Sequence, residues 1–252
     1  MKGIDIAWGI GDEDIAKVKA LLADQAESPL VRYRRRRNLA AVKEPVNRQQ
    51  FWSTMIGARL TSQQLSGPES PIARFTRTTP FPLAYERMRD QAHLEAVISS
   101  EITRAGGIRF ANRIGQDLAV NFRRLEGGEW DEALRQCNRL CSPVSHDIER
   151  QVAQYVDTFS GFGPKQSRNL LQGLGLTRFE IPIDSRVTAW LNRFGFPIRL
   201  SAVALNDPNY YNFVSDGFQA LCARCDVFPC ILDAAIFGAR DAGGWTDANV
   251  IR

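Results

Sequence analysis

The segment TFSGFGPKQSRNLLQGLGLTRFEIPIDSRVTAWL, Thr158 to Leu191, sets one lysine and one aspartate on either side of a helical stretch. Its first part, Phe159-Ser160-Gly161-Phe162-Gly163, is a short hairpin, and Pro164 opens a helix because its missing N–H is an orphan at the first helical position anyway. Gly161 and Gly163 permit backbone conformations that a β-carbon forbids and allow another backbone to approach closely. Such a turn points main-chain N–H groups outward at a helix N-terminus, where a phosphate is favoured. Lys165 falls in the first helical turn. A cation there opposes the helix dipole, and the same field favours the neutral amine, which is a nucleophile. Downstream, Ile181-Pro182-Ile183 is extended, and Asp184 precedes a helical pattern with Val187, Trp190, Leu191 and Phe194 on one face. Singly, Asp184 reads as a helix N-cap and Lys165 as a solvated helix-start lysine. Together, across one glycine hairpin, they read as a nucleophile and its carboxylate partner.

These residues resemble the signature of the helix-hairpin-helix DNA glycosylases, the superfamily of endonuclease III and 8-oxoguanine DNA glycosylase. The matching string is Gly161, Gly163 and Lys165, followed by Ile181-Pro182-Ile183-Asp184. The likeness extends weakly from Phe51 to Arg240. It implies that Lys165 and Asp184 are catalytic: the lysine as Schiff-base nucleophile, the aspartate as the carboxylate that steadies oxocarbenium character at the sugar. It implies a bifunctional glycosylase and abasic-site lyase acting on double-stranded DNA, normally as a monomer. The hairpin Gly161, Phe162 and Gly163 would grip DNA. Leu60-Thr61-Ser62-Gln63-Gln64 resembles the family string whose amide fills the gap left by an everted base, which points to Gln64 first and Gln63 second. Ala105 to Phe110, containing Arg109, is similar to a glycine-containing turn that also meets DNA.

The base pocket is implied by Cys230 to Phe237, similar to the closing helix of 8-oxoguanine glycosylases. Phe237 matches the stacking ring, and Asp233 replaces an amide. An ionised carboxylate only accepts hydrogen bonds, so Asp233 favours a donor-rich edge such as that of guanine, or an amino-bearing cytosine derivative. Asn169, one turn beyond Lys165, is either a pocket neighbour or an ordinary helix residue. The first substrate expectation is 8-oxoguanine. Thymine glycol, an alkylated purine or a hypermodified cytosine of invading DNA remain alternatives, as does a non-catalytic module that only grips phosphates.

Composition fits this reading. The 252 residues are 44% hydrophobic, enough for one large domain or two lobes. The net charge of +4 suits a polyanionic partner. The cluster Arg32 and Arg34 to Arg37 is either a solvated face or a phosphate-contacting patch. No apolar run approaches the ~18 residues that span a bilayer. The N-terminus lacks a signal-peptide core and carries Asp12, Glu13 and Asp14, so a cytoplasmic, nucleoid-associated protein is expected. Five cysteines in such a chain argue against disulfides. Cys222-x2-Cys225-x4-Cys230 falls short of the iron–sulfur ligation of endonuclease III relatives, with Ser215 where the first thiolate would stand. A zinc site from Cys137, Cys141, Cys222 and Cys225 has ligand-like spacing, but buried unclustered thiols are the simpler reading, and no metal site is expected. No cofactor is expected beyond, at most, a monovalent cation held by hairpin backbone carbonyls.

Helical patterning dominates, so the expected fold is all-α, two helical lobes with the active site in the cleft between them. Residues 1–46 read as an N-terminal helix and a basic linker, Pro29 to Pro45, packing on the second lobe. Residues 47–252 form the glycosylase core, with the helix-hairpin-helix at 147–172. Gly67 to Pro82 reads as a loop, Phe179 to Ile183 as an isolated strand and the tail after Gly243 as loose.

Overall fold

Apolar residues at helical spacing sort into two separate cores, and the chain crosses between them from Leu39 to Val46 and again from Leu176 to Ile181. The computed structural model describes residues 7–64, 67–241 and 244–250. In chain order the helices are α1 (Asp12–Asp24), α2 (Pro29–Asn38), α3 (Arg48–Leu60), α4 (Pro71–Thr76), α5 (Tyr85–Arg89), α6 (Leu94–Ala105) and α7 (Ala111–Arg124). They continue with α8 (Trp130–Asn138), α9 (His146–Val156), α10 (Pro164–Gly173), α11 (Ser185–Phe194), α12 (Pro208–Arg224) and α13 (Pro229–Arg240). No strand occurs among the described residues, so the fold is all-α. The strand expected over Phe179 to Ile183 is not formed: Phe179 is a bend and the residues after it are irregular, with no second strand among the described residues to pair with.

The first core gathers α3 to α10. Phe51, Trp52, Met55 and Ile56 of α3 are fully buried at its centre, and the indole of Trp52 donates to Leu83 O at 2.9 Å. Asn47 caps α3 by accepting from Gln50 N at 2.9 Å, while Gln50 returns the bond to Asn47 N. The second core gathers α1, α2 and α11 to α13. Its central element is α13, buried almost all round from Pro229 to Ile236, as befits a helix apolar on every face.

Two stretches expected to be loops are helical. Pro29 to Asn38 forms α2, because Pro29 suits the first helical position, Leu30 and Val31 bury against the second core, and arginine is a good helix former. Only the remainder of the basic linker, to Pro45, is irregular. Within Gly67 to Pro82, Ser70 accepts from Ala73 N at 3.1 Å and starts α4. The described part of the tail is not loose: Trp245 and Val250 are buried in the second core.

Cys137 and Cys141 belong to the first core and Cys222, Cys225 and Cys230 to the second, so the four thiols considered for zinc lie in different cores. All five cysteines are free, and no group of three or more candidate ligands gathers among the described residues. No helix among the described residues is long and apolar enough to cross a membrane.

Candidate active site

The hairpin joining α9 to α10 is fixed from behind by α3 and α7. Asn121 brackets Ser160, accepting its N–H at 2.7 Å and donating to its carbonyl at 2.9 Å. Asp117 accepts from Ser160 Oγ at 2.8 Å and from Arg59 Nε and Nη2 at 2.9 and 2.6 Å. Gly161 lies over this ion pair with φ of +74°, and a β-carbon there would overlap Arg59 and the Asp117 carboxylate. Gly163 differs from expectation. Its φ of −156° is extended backbone open to any residue, so its contribution is empty space rather than conformational freedom. Phe162 is half-buried and packs against the first core instead of projecting outward. Among the described residues the amides of Gly161, Gly163 and Lys165 have no acceptor, leaving three donors at the N-terminus of α10. The carbonyls of Thr158, Phe159 and Ser160 each accept a protein hydrogen bond, from Arg124, Phe162 and Asn121.

Helix α10 buries Leu170 and Leu171 in the first core and turns Lys165, Asn169 and Gln172 to the cleft, a spacing of four and three residues that defines one helical face. Lys165 Nζ donates to Thr61 Oγ1 at 3.2 Å and to Gln166 Oε1 at 3.1 Å. Asn169 Nδ2 donates to the same threonine oxygen at 2.9 Å, and Gln166 bonds Ser62. The C-terminal turn of α3 is thereby clamped onto the lysine. Burial lowers the Lys165 amine to about 8, further lowered by Arg186 and opposed by Asp184 and Asp233. Desolvation is thus the leading cause.

Asp184 is the N-cap of α11, with Oδ1 accepting from Arg186 N at 2.8 Å and Val187 N at 3.1 Å. Its other oxygen, Oδ2, lies 3.5 Å from Arg186 Nη1. Capping thus uses Oδ1, while Oδ2 faces the Arg186 guanidinium. The strand-like approach to Asp184 is held at both ends. Tyr211 Oη accepts from Ile183 N at 2.7 Å and donates to Ile181 O at 2.8 Å. Upstream, the buried Glu149 accepts from the amides of Arg178, Phe179 and Glu180 at 2.7, 2.8 and 2.9 Å.

Lys165 and Asp184 line one cavity of about 120 Å³ between the two cores. The size approaches the ~150 Å³ that admits a benzene ring. Asp233, Phe237 and Asn169 line it too, so five of the residues singled out in the sequence converge. Burial raises the Asp233 carboxyl to about 6, with Asp184 adding to the rise and Arg34, Gln172 and Arg186 opposing it. The Arg186 guanidinium sits 3.7 Å over the Phe237 ring.

Gln63, Gln64 and Arg109 do not line the cavity. Gln64 is occupied, its Oε1 accepting from Arg109 N at 2.6 Å and its Nε2 donating to Leu60 O at 2.8 Å. Gln63 is exposed and holds φ of +55°. Arg109 stacks on Phe110, 4.8 Å from the ring centre. Several cavity residues were not read as pocket residues in the sequence: Tyr33, Thr61, Gln172 and Trp245, together with Arg34 and Arg37, weighed there only as a solvated face or a phosphate-contacting patch. Gln172 had a legible signal, standing seven residues after Lys165 on the same helical face.

Two solved structures carry the same architecture. The 8-oxoguanine DNA glycosylase of Thermotoga maritima superposes with a TM-score of 0.64 at 13% identity, covering 94% of this chain and 99% of that one. That of Methanocaldococcus jannaschii gives 0.61 at 15%, covering 92% and 95%. The chain therefore shares the fold of these two glycosylase structures. No protein-family model and no curated protein sequence matches the chain. The glycosylase fold is therefore visible in backbone arrangement where residue identity has largely gone.

Proposed function

We propose that the chain is a bifunctional DNA glycosylase and abasic-site lyase. The observation that carries this reading is the meeting of Lys165 and Asp184 at one cavity, with the lysine amine lowered to about 8. An everted nucleotide enters the cleft from duplex DNA gripped by the unpaired amides of Gly161, Gly163 and Lys165. The neutral amine attacks C1′, the C1′–N bond breaks, and the base departs with the electron pair and gains a proton. Asp184 Oδ2 stabilises the positive character that grows on the sugar. Ring opening gives a Schiff base between Nζ and C1′. Loss of a proton from C2′ then expels the 3′ phosphate, and hydrolysis frees the lysine.

The first substrate is 8-oxoguanine. Asp233 supports a base with a donor-rich edge, and Phe237 offers a ring on which that base stacks. Asp233 also keeps an amino-bearing cytosine derivative as the second reading. The protein acts as a monomer on DNA, without a metal or organic cofactor.

Borohydride trapping on an oligonucleotide with an abasic site tests the reading. A covalent adduct and strand nicking are expected for the wild type, and both are lost in Lys165→Ala. A wild type that binds the duplex yet gives neither would be a DNA-binding module, and the proposal would fall.

A further inference from the structure

The arginine cluster of α2 is split by helical geometry. Arg35 and Arg36 face solvent, whereas Arg34 and Arg37, one turn apart, line the cavity. Arg37 Nη1 donates to Tyr33 Oη at 3.0 Å, and its stem packs against Gly175. Arg34 Nη1 lies 3.5 Å from Asp233 Oδ2, which also accepts from Gln172 Nε2 at 2.8 Å. Asn38 fastens α2 to the segment after α10 by donating to Thr177 O at 2.8 Å. The N-terminal helix is therefore a wall of the cavity.

Facing this wall from α13 and α10, two buried acceptors have no partner: Asp233 Oδ1 and Gln172 Oε1. Their residues are 1% and 5% exposed, and both line the cavity. Buried lone pairs left unpaired are costly, so such atoms await a donor. The pocket thus presents the Arg34 guanidinium beside two vacant acceptors. A guanine-type edge supplies the complement, with O6 accepting and N1–H and the 2-amino group donating. Thymine offers one donor between two acceptors, and adenine and cytosine offer an amino group as their sole donor.

Resting on the glycosylase reading of the cleft, we propose that Arg34 is a specificity-determining residue that, with Asp233 and Gln172, selects an everted base presenting the O6, N1–H and 2-amino edge of guanine derivatives. Helix α2 therefore sets substrate choice, and the lysine face of α10 performs the chemistry.

Single-turnover excision is compared on duplexes containing 8-oxoguanine, 8-oxohypoxanthine, which lacks the 2-amino group, and 5-hydroxymethylcytosine. Trapping on abasic-site DNA is run in parallel, since it needs no base. The wild type is expected to prefer 8-oxoguanine over 8-oxohypoxanthine by roughly tenfold to a hundredfold. Arg34→Gln should lower the ratio of 8-oxoguanine excision to abasic trapping by about tenfold or more. Arg34→Lys, which keeps a charged donor, should restore part of it, and Arg35→Gln or Arg36→Gln should leave the ratio unchanged. The inference is overturned if Arg34→Gln and Arg34→Lys both keep the wild-type ratio and preference, or if the wild type favours the cytosine derivative. Absence of trapping by the wild type would instead overturn the glycosylase reading beneath it.

Discussion

The side chain of Gln64 closes on the main chain of Arg109 at both ends, accepting its N–H at 2.6 Å and donating to its carbonyl at 3.2 Å. One amide thus pairs the end of α3 with the turn before α7, as a neighbouring strand would. The amide expected to enter the DNA stack is committed to the fold. Its neighbour Gln63 is exposed and held at φ of +55°, a left-handed conformation that costs a non-glycine residue about 1–2 kcal/mol. We expect Gln63→Ala to weaken binding to a damaged duplex about tenfold with stability altered by less than about 0.5 kcal/mol. Gln64→Ala should lower stability by about 1 kcal/mol. Anisotropy titrations and thermal melts check both, and the reverse pattern would return the wedge role to Gln64.

The Lys165 amine gives the reaction a definite pH dependence. Its pKa of about 8 lies below the ordinary 10.5, so the fraction of nucleophile rises with pH and levels off above about 8. Against an ordinary lysine the neutral fraction near neutrality is larger by more than about a hundredfold. The same shift makes stability rise with pH between about 8 and 10.5, because the unfolded chain binds the proton more tightly there. Single-turnover trapping rates should climb about tenfold per pH unit below 8 and then plateau. Asp233, facing Arg34, Asp184 and Arg186, adds a second and lower rise near 6 for base excision but not for abasic-site trapping. A trapping rate still climbing tenfold per unit above pH 9 would contradict a lowered lysine.

Glu149 positions the aspartate from a distance. It caps three successive amides, Arg178 to Glu180, at the start of the run that ends in Asp184. Burial raises its carboxyl to about 7 despite those three donors. A raised acid binds its proton more tightly in the folded state, so its contribution to stability declines as pH rises from about 4.5 to 7. Glu149→Gln turns an amino group toward amides that need an acceptor. We expect a loss of about 1–3 kcal/mol in urea denaturation and a slower base-release step with abasic-duplex affinity retained. An unchanged release rate in the folded variant would detach Glu149 from the site.

Much of this arrangement was written locally. The hairpin, Pro164, Lys165 and Asp184 lie within one continuous stretch, and their turn and capping chemistry can be read from neighbouring residues. The two-core helical architecture follows from periodicity, which assigned α3 and α11 their buried faces. The N-terminal wall of the pocket was not legible. The run of arginines hid a helix anchored by Leu30 and Val31, with Tyr33 packing beside them, and its inward turn depends on α13, some two hundred residues later. The Gln64–Arg109 pairing was illegible for a related reason, since the partner lies on another element and the amide type suits either role.

Asp184 combines two roles that substitution separates. Oδ1 caps α11 through two backbone amides, and Oδ2, beside Arg186, is the oxygen that the proposed mechanism turns to the sugar. Asparagine caps a helix about as well as aspartate, whereas alanine loses the cap at about 1 kcal/mol. Asp184→Asn should therefore melt within about 0.5 kcal/mol of the wild type, and Asp184→Ala about 1 kcal/mol below it. Both remove the negative charge, and both should slow base release by about a hundredfold to a thousandfold. Duplex affinity, which the proposed mechanism assigns to the hairpin amides, should stay close to wild type. If Asp184→Asn releases the base at full rate while Asp184→Ala does not, the residue serves only as a cap, and the transition-state charge is met elsewhere.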